Sequence, residues 1–180
     1  MSTVKLRNVR LSFNSIFGAE DYGGNGDFNY NAKVLIPKGS DEAQIIQDAL
    51  LKTAEEAFPG KGAEVIKKIQ GDNMQYCLSD FDDDHFQLAT KRKAKAGRPV
   101  VVDQNRKPLT ETDGKPYSGC YVTIIVRPWA MGSKGRHWVR CALEGLQFTA
   151  DGQSFSKRIS SADFDDLGTG ANSDDGSDLL

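Results

Sequence analysis

Long hydrophobic runs are missing from this sequence of 180 residues, and none approaches the roughly twenty apolar residues that carry a helix across a bilayer. No charged-then-apolar leader opens it, so the chain reads as soluble and intracellular. Cysteine is scarce: Cys77, Cys120 and Cys141 are odd in number and far apart, and no C-x-x-C occurs. That spacing leaves a sequence-local zinc or dithiol motif without support and predicts buried free thiols. The only histidines, His85 and His137, stand isolated. No Ser-His-Asp or Cys-His set can be drawn from local sequence, and the G-x-x-x-x-G-K-[ST] phosphate loop is absent. The expectation is therefore a chain with no catalytic residue, no cofactor and no metal. Hydrophobic residues make up 38%, a low share, which predicts that part of the chain is unpacked. The length suits one domain with a sizeable core.

Charge is present but unevenly placed. The formal net charge is −2, yet residues 163 to 180 hold six aspartates and no lysine or arginine. Residues 1 to 162 keep 23 basic against 19 acidic side chains, a net of +4. The division expected is a folded body over 1–162 and an acidic tail over 163–180, too poor in core formers to be ordered. The tail ends Asp178-Leu179-Leu180. Two leucines closing an acidic tract fit a short docking peptide, with Asp174, Asp175, Asp178, Leu179 and Leu180 as its partner-binding residues.

The body is mainly β by pattern. Residues 4–13 (VKLRNVRLSF) and 28–37 (FNYNAKVLIP) alternate as two strands, joined by a glycine-rich loop over 14–27. In the second, Phe28, Tyr30, Ala32, Val34 and Ile36 share one face. The period then turns helical. Ser40 is a good N-cap, with Asp41 and Glu42 in the first turn. Ile45, Ile46, Ala49, Leu50, Thr53, Ala54, Ala57 and Phe58 form one stripe, stopped at Pro59-Gly60, and a shorter helix follows over 63–69. Residues 79–85 (SDFDDDH) cluster four aspartates and a histidine. Such carboxylates are hard oxygen ligands, so a metal-dependent nuclease using Asp80, Asp82, Asp83, Asp84 and His85 is an alternative. The spacing lacks the central glycine and distal glutamate of a calcium loop and fits a solvated turn better.

Residues 86–93 (FQLATKRK) read as a strand running into positive charge. Lys91, Arg92, Lys93, Lys95 and Arg98 fall within eight residues, with no acid beside them in sequence, and a short strand over 100–102 follows. A basic segment between strands can clamp a phosphate backbone. Residues 117–148 predict a hairpin around Met131-Gly132-Ser133-Lys134-Gly135. Val122, Ile124 and Val126, with Val139, Cys141 and Leu143, make a core face. The other face carries Tyr121, Thr123, Ile125, Arg127 and Trp129, with Arg136, Trp138 and Arg140. Two readings of that second face are open: tryptophans of a two-sided core, or a surface for flat, negatively charged ligands such as single-stranded nucleic acid.

Five stretches together resemble a family of bacteriophage single-stranded DNA-binding proteins. They are Leu6-Arg7-Asn8-Val9-Arg10-Leu11-Ser12, Leu35-Ile36-Pro37-Lys38, Arg98-Pro99-Val100-Val101-Val102-Asp103, Tyr117-Ser118-Gly119-Cys120-Tyr121 and Ser160-Ser161-Ala162-Asp163-Phe164. The resemblance spans roughly residues 4–162, and it is the order of these stretches that makes it specific. It implies an OB-type β-barrel with an inserted helical segment at about 40–69. It also implies sequence-tolerant binding of single strands in phage replication, recombination and repair, in the cytoplasm of the infected host. The acidic tail is similar to those that recruit replication proteins, and a homo-oligomer or cooperative assembly on DNA is a further implied partner. On strand alternation, the expected contacts are Lys91, Arg92, Lys93, Lys95, Arg98, Tyr121, Arg127, Trp129, Arg136, Trp138 and Arg140. A phage structural or assembly protein with a basic protein-binding sheet is the other alternative.

A flexible tail of that length spans roughly 20–25 Å, against a radius of gyration near ~15 Å for the body. The aspartates therefore reach their own basic face at an effective concentration of about millimolar. Removal of residues 163–180 is expected to tighten nucleic-acid binding and relax selectivity against duplex, measured by parallel titrations of the two chains. Identical affinities would contradict self-competition.

Overall fold

The computed structural model describes residues 2–155 and 161–168. The expectations for Asp174, Asp175, Asp178, Leu179 and Leu180 lie outside the described residues. Seven strands and two helices follow in the order β1 (Val4–Asn14), β2 (Asn29–Pro37), α1 (Asp41–Ala57), α2 (Gly62–Ile69), β3 (Leu78–Asp80), β4 (His85–Lys93), β5 (Val100–Val102), β6 (Tyr121–Ser133) and β7 (Arg136–Ala150). The sheet order is β3-β4-β2-β1-β6-β7-β5, and β4 also pairs with β7. That extra pairing closes β4, β2, β1, β6 and β7 into a five-stranded barrel of the OB type. It is parallel and short: Thr90 faces Cys141 and Lys91 faces Ala142.

Inward side chains fill the barrel as strand alternation requires. Leu6, Leu11, Val34, Ile36, Leu88, Val122, Ile124, Val126, Val139 and Leu143 are all fully buried. Two strands break their alternation to keep doing so. In β1 the register against β6 shifts between Leu6 and Val9, and Asn8 there takes φ +52°, a left-handed conformation asparagine tolerates. In β7 the register shifts so that Ile125 faces Gly145 and Val126 faces Leu143, which leaves Glu144 as the extra residue. Leu143 and Leu146 both point inward across that bulge.

Helix α1 begins where its cap predicts: the Ser40 hydroxyl accepts the Ala43 N–H at 3.2 Å. The helix packs on β6 and β1 through Ala43, Ile46, Leu50 and Ala54. The broad stripe predicted from sequence is narrower in the structure. Ile45 stands 41% exposed, because the barrel covers one line of residues at i, i+3 and i+4 and leaves its neighbour to solvent. Phe28 departs similarly: it precedes β2 and is 51% exposed, while Tyr30, Ala32, Val34 and Ile36 are buried as expected. The three cysteines are free and buried. Cys77 and Cys141 pack Sγ to Sγ at 3.8 Å, and that contact, with burial, pushes the Cys141 thiol well above its ordinary pKa. No helix among the described residues is long and apolar enough to cross a membrane.

Loss of Ile46 to alanine is expected to destabilise the fold by about 2–5 kcal/mol, while Ile45→Ala stays within roughly 0.5 kcal/mol of wild type. Chemical denaturation of both variants checks this, and equal losses would mean that α1 docks on a different face.

Candidate nucleic-acid interface

Barrel closure sets the outer face of four strands side by side. By register, Asn31 of β2 lies beside Lys91 of β4, Lys91 beside Ala142 of β7, and Ala142 beside Arg127 of β6. On β6 and β7, Trp129 faces Arg140 and Met131 faces Trp138. Neither tryptophan belongs to the buried core: both are half-buried, on the face opposite Val139, Cys141 and Leu143. Between these strands runs a groove of about 450 Å³ lined by Lys91, Arg92, Lys93, Arg127, Trp129 and Arg140, together with Asp27, Asn29 and Met74. Six of the residues expected from sequence thus share one concavity, although they come from segments some forty positions apart.

The cations in it are not equivalent. Glu144, re-aimed by the β7 bulge, accepts from Arg92 at 3.3 Å and from Arg127 at 3.0 Å. The basic cluster has no acid beside it in sequence, but the fold supplies one from fifty-two positions away. Arg92 also donates to the carbonyls of Ala96 and Gly97, both at 2.8 Å, and weakly to that of Leu143. It sits just past the last β4–β7 pair and ties the turn at Ala94–Ala96 to β7, so its fork positions the groove wall. Arg140 donates to the carbonyls of Asn73 at 2.8 Å and Met74 at 3.3 Å, holding the α2–β3 connection as a rim. Met74 there is 75% exposed. Lys91, Lys93, Lys95, Arg98 and Arg136 have no acidic partner among the described residues.

Five expected residues lie outside the groove. Lys95 is exposed on the turn beyond β4, and Arg98 borders a separate cleft with Val100 and Leu109. Arg136 and Trp138 stack at the hairpin end, guanidinium to ring centre 5.4 Å. Tyr121 is eight residues from Trp129 on the same strand, about 26 Å at ordinary strand rise. There it packs near Arg10, which also covers Phe155 and donates to the Gly119 and Gln153 carbonyls. Nearby Thr123 is buried, and Gln147 opposite it donates to the Asp103 carbonyl. Buried Thr123 thus interrupts the outer face of β6 between Tyr121 and Arg127.

Sequence reasoning missed Asn29, Asp27, Met74 and Glu144. The first three come from strand ends and connections that carry no periodic signal, and Glu144 is placed by a bulge. Exposed Phe13 was also unmarked; it lies 6.4 Å from Tyr22, and the Lys33 ammonium is 5.8 Å from its ring. The aspartate cluster is a turn. Asp82 accepts the Asp84 N–H at 2.8 Å and meets His85 Nδ1 at 2.9 Å, which holds its carboxyl below the usual range. Asp80 pairs with Lys38 at 3.0 Å. No group of three or more metal-ligating side chains occurs among the described residues.

A closed OB-type barrel with a cationic and aromatic groove across its strands defines a protein of the oligonucleotide-binding class. The chain belongs to the phage family described as "Enterobacter phage Enc34, ssDNA-binding protein", whose model matches residues 2–177. A putative protein p50 of Acyrthosiphon pisum secondary endosymbiont phage 1 is 35% identical over 175 residues, which cover 91% of this chain and 93% of that one. The single-stranded DNA-binding protein from bacteriophage Enc34, solved in complex with ssDNA, has the same fold. Its TM-score is 0.68 at 20% identity over 86% of this chain and 89% of the other. So does gp2.5, a single-stranded DNA binding protein encoded by bacteriophage T7, with a TM-score of 0.60 at 16% identity over 90% and 92% of the two chains. Membership of this family makes the chain a binding protein and not an enzyme.

Arg92→Ala removes the links to Ala96 and Gly97 and leaves Glu144 to Arg127 alone. Amide exchange over residues 94–98 is expected to speed up by about tenfold, with little change in β1. Unchanged exchange there would show that the turn is held without the guanidinium.

Proposed function

We propose that the chain binds single-stranded DNA without sequence preference in the groove between β4, β7 and β6, as a component of phage DNA replication, recombination and repair in the host cytoplasm. The observation that carries the reading is the meeting of Lys91 and Lys93 with Trp129 at the barrel closure, in a chain of this family. Bases stack on Trp129, with Met74 as an adaptable rim contact, and phosphates follow Lys91, Lys93, Lys95, Arg98 and Arg136. Trp138 under Arg136 continues the stacking surface along the hairpin. Arg92, Arg127 and Arg140 act by holding the groove open in one shape. The acidic tail competes for the same cations and, once displaced by DNA, is free to recruit replication proteins. Copies of the chain assemble along the strand.

The relatives support this reading. One structure of this fold is a phage protein in complex with ssDNA, and the tail sequence here has the opposite charge to the groove. No observation favours the nuclease: Asp80 pairs with Lys38, and Asp82 closes the turn before His85, at the other end of β4 from Lys91 and Lys93.

Five phosphate contacts give a log-affinity against log-salt slope near −3.5, at ~0.7 per contact on single strands. Oligo-dT titrations over a salt series check it, and a slope near zero removes the electrostatic half of the proposal. In the same assay Trp129→Ala is expected to weaken binding roughly 5- to 150-fold, while Tyr121→Ala binds like wild type. The reverse pattern would move the site to the other end of β6.

A further inference from the structure

One residue that lines the groove keeps a buried polar atom unpaired among the described residues. Asn29, the first residue of β2, is 5% exposed and lines the groove next to Lys91 and Lys93. Its backbone is satisfied: it exchanges both hydrogen bonds with Glu20, and its carbonyl also accepts from Asn31 Nδ2. Its side-chain Nδ2 donates to the Asp27 carbonyl at 3.0 Å. Its Oδ1 is enclosed and has no hydrogen-bond partner among the described residues. That first bond sets the amide's orientation, because turning it over would bring two carbonyl oxygens together. Oδ1 is thus an acceptor and nothing else. Buried acceptors in native proteins are almost always matched, so one kept unmatched inside a binding groove lacks a donor from outside the chain.

Among the groups that a nucleic acid carries, the donor's chemistry follows by elimination. A phosphate at neutral pH accepts and does not donate, and is repelled by a carbonyl oxygen. Lys93 faces Asn29 across the ladder yet makes no bond to it. An internal deoxyribose carries no free hydroxyl. Every nucleobase does carry an N–H on its Watson–Crick edge. A single acceptor therefore reads that a base edge is present and not which base it is, as sequence tolerance requires. In a duplex the same N–H is occupied by pairing.

We propose that Asn29 Oδ1 accepts a hydrogen bond from the Watson–Crick-edge N–H of one base. This seats that base edge-inward, with its phosphates turned out to Lys91 and Lys93, and makes Asn29 a determinant of selection for single strands over duplex. The enclosed oxygen is reached when the flanking lysine side chains, which no partner among the described residues holds, swing onto phosphate. The inference rests on the single-strand reading above and adds the residue that enforces it.

The test compares the full chain and Asn29→Leu on oligo-dT and on the same oligonucleotide made of N3-methylthymine, which stacks but has no N3–H. Wild type is expected to bind the methylated strand roughly five- to tenfold more weakly. Asn29→Leu should bind both strands alike and lose part of its preference over duplex. Equal affinity of wild type for the two strands overturns the inference and leaves single-strand binding intact; Oδ1 is then met by water only. A loss of the same size in both proteins also overturns it, since the methyl group is then felt elsewhere. Oligo-rU against oligo-dU forms a second arm: a ribose preference confined to wild type, with no methyl effect, assigns the donor to a 2′-hydroxyl instead. Should Asn29→Leu fail to fold, Asn29→Ala takes its place in the same two-strand comparison. Failure of wild type to bind oligo-dT at all refutes the underlying reading rather than the role of Asn29.

Discussion

Two residue pairs hold the barrel shut, Thr90 with Cys141 and Lys91 with Ala142. The groove between β4, β6 and β7 depends on that short parallel junction. It places the basic end of β4 against the aromatic hairpin of β6 and β7, though the chain between them runs through β5 and a long excursion. Parallel pairing of two residues is weak alone, and just beyond it the strands part. Arg92 spans the opening, with its fork on Glu144 and on the carbonyls of Ala96 and Gly97. The bulge that makes Glu144 the extra residue of β7 allows one carboxylate to hold arginines from both β4 and β6. Closure and groove shape are in this sense one interaction.

The arrangement separates two tasks that a basic sequence leaves merged. Arg92, Arg127 and Arg140, with planar forks suited to several fixed acceptors, are tied into the wall. Lysines, compact charges on flexible stems, face the groove without acidic partners among the described residues. A binding surface that must accept any sequence gains from that division. The wall keeps one shape, while the phosphate contacts adapt to backbones of varied conformation. Glu144 also lowers the groove's net charge, which moderates attraction to any polyanion.

Much of this was legible in the residues. The core faces of β6 and β7, the Ser40 cap, the helical insert and the basic end of β4 follow from period and local chemistry. Six of the eleven expected residues share the groove: alternation places Arg127, Trp129 and Arg140 on the outer face, and Lys91, Arg92 and Lys93 come from the charge run at the end of β4. Tyr121 shares that alternation but lies outside the groove, since periodicity says which face a residue takes and nothing of where along the strand a concavity forms. Phe28 and Ile45 show the same limit at strand and helix edges. Glu144 and Asn29 were invisible for another reason. A bulge shifts register by one residue without a mark in the sequence, and an unpaired amide oxygen is defined only by neighbours brought from elsewhere.

The central claim is that a single strand lies in the groove at the β4–β7 junction, and photo-crosslinking with peptide mapping tests it most directly. The full chain, irradiated with an oligonucleotide carrying 5-iodouracil, is predicted to crosslink at Trp129 and Met74, within β6 and the α2–β3 connection. Crosslinks confined to Tyr121 and Phe155, or to α1 and α2, would contradict the account.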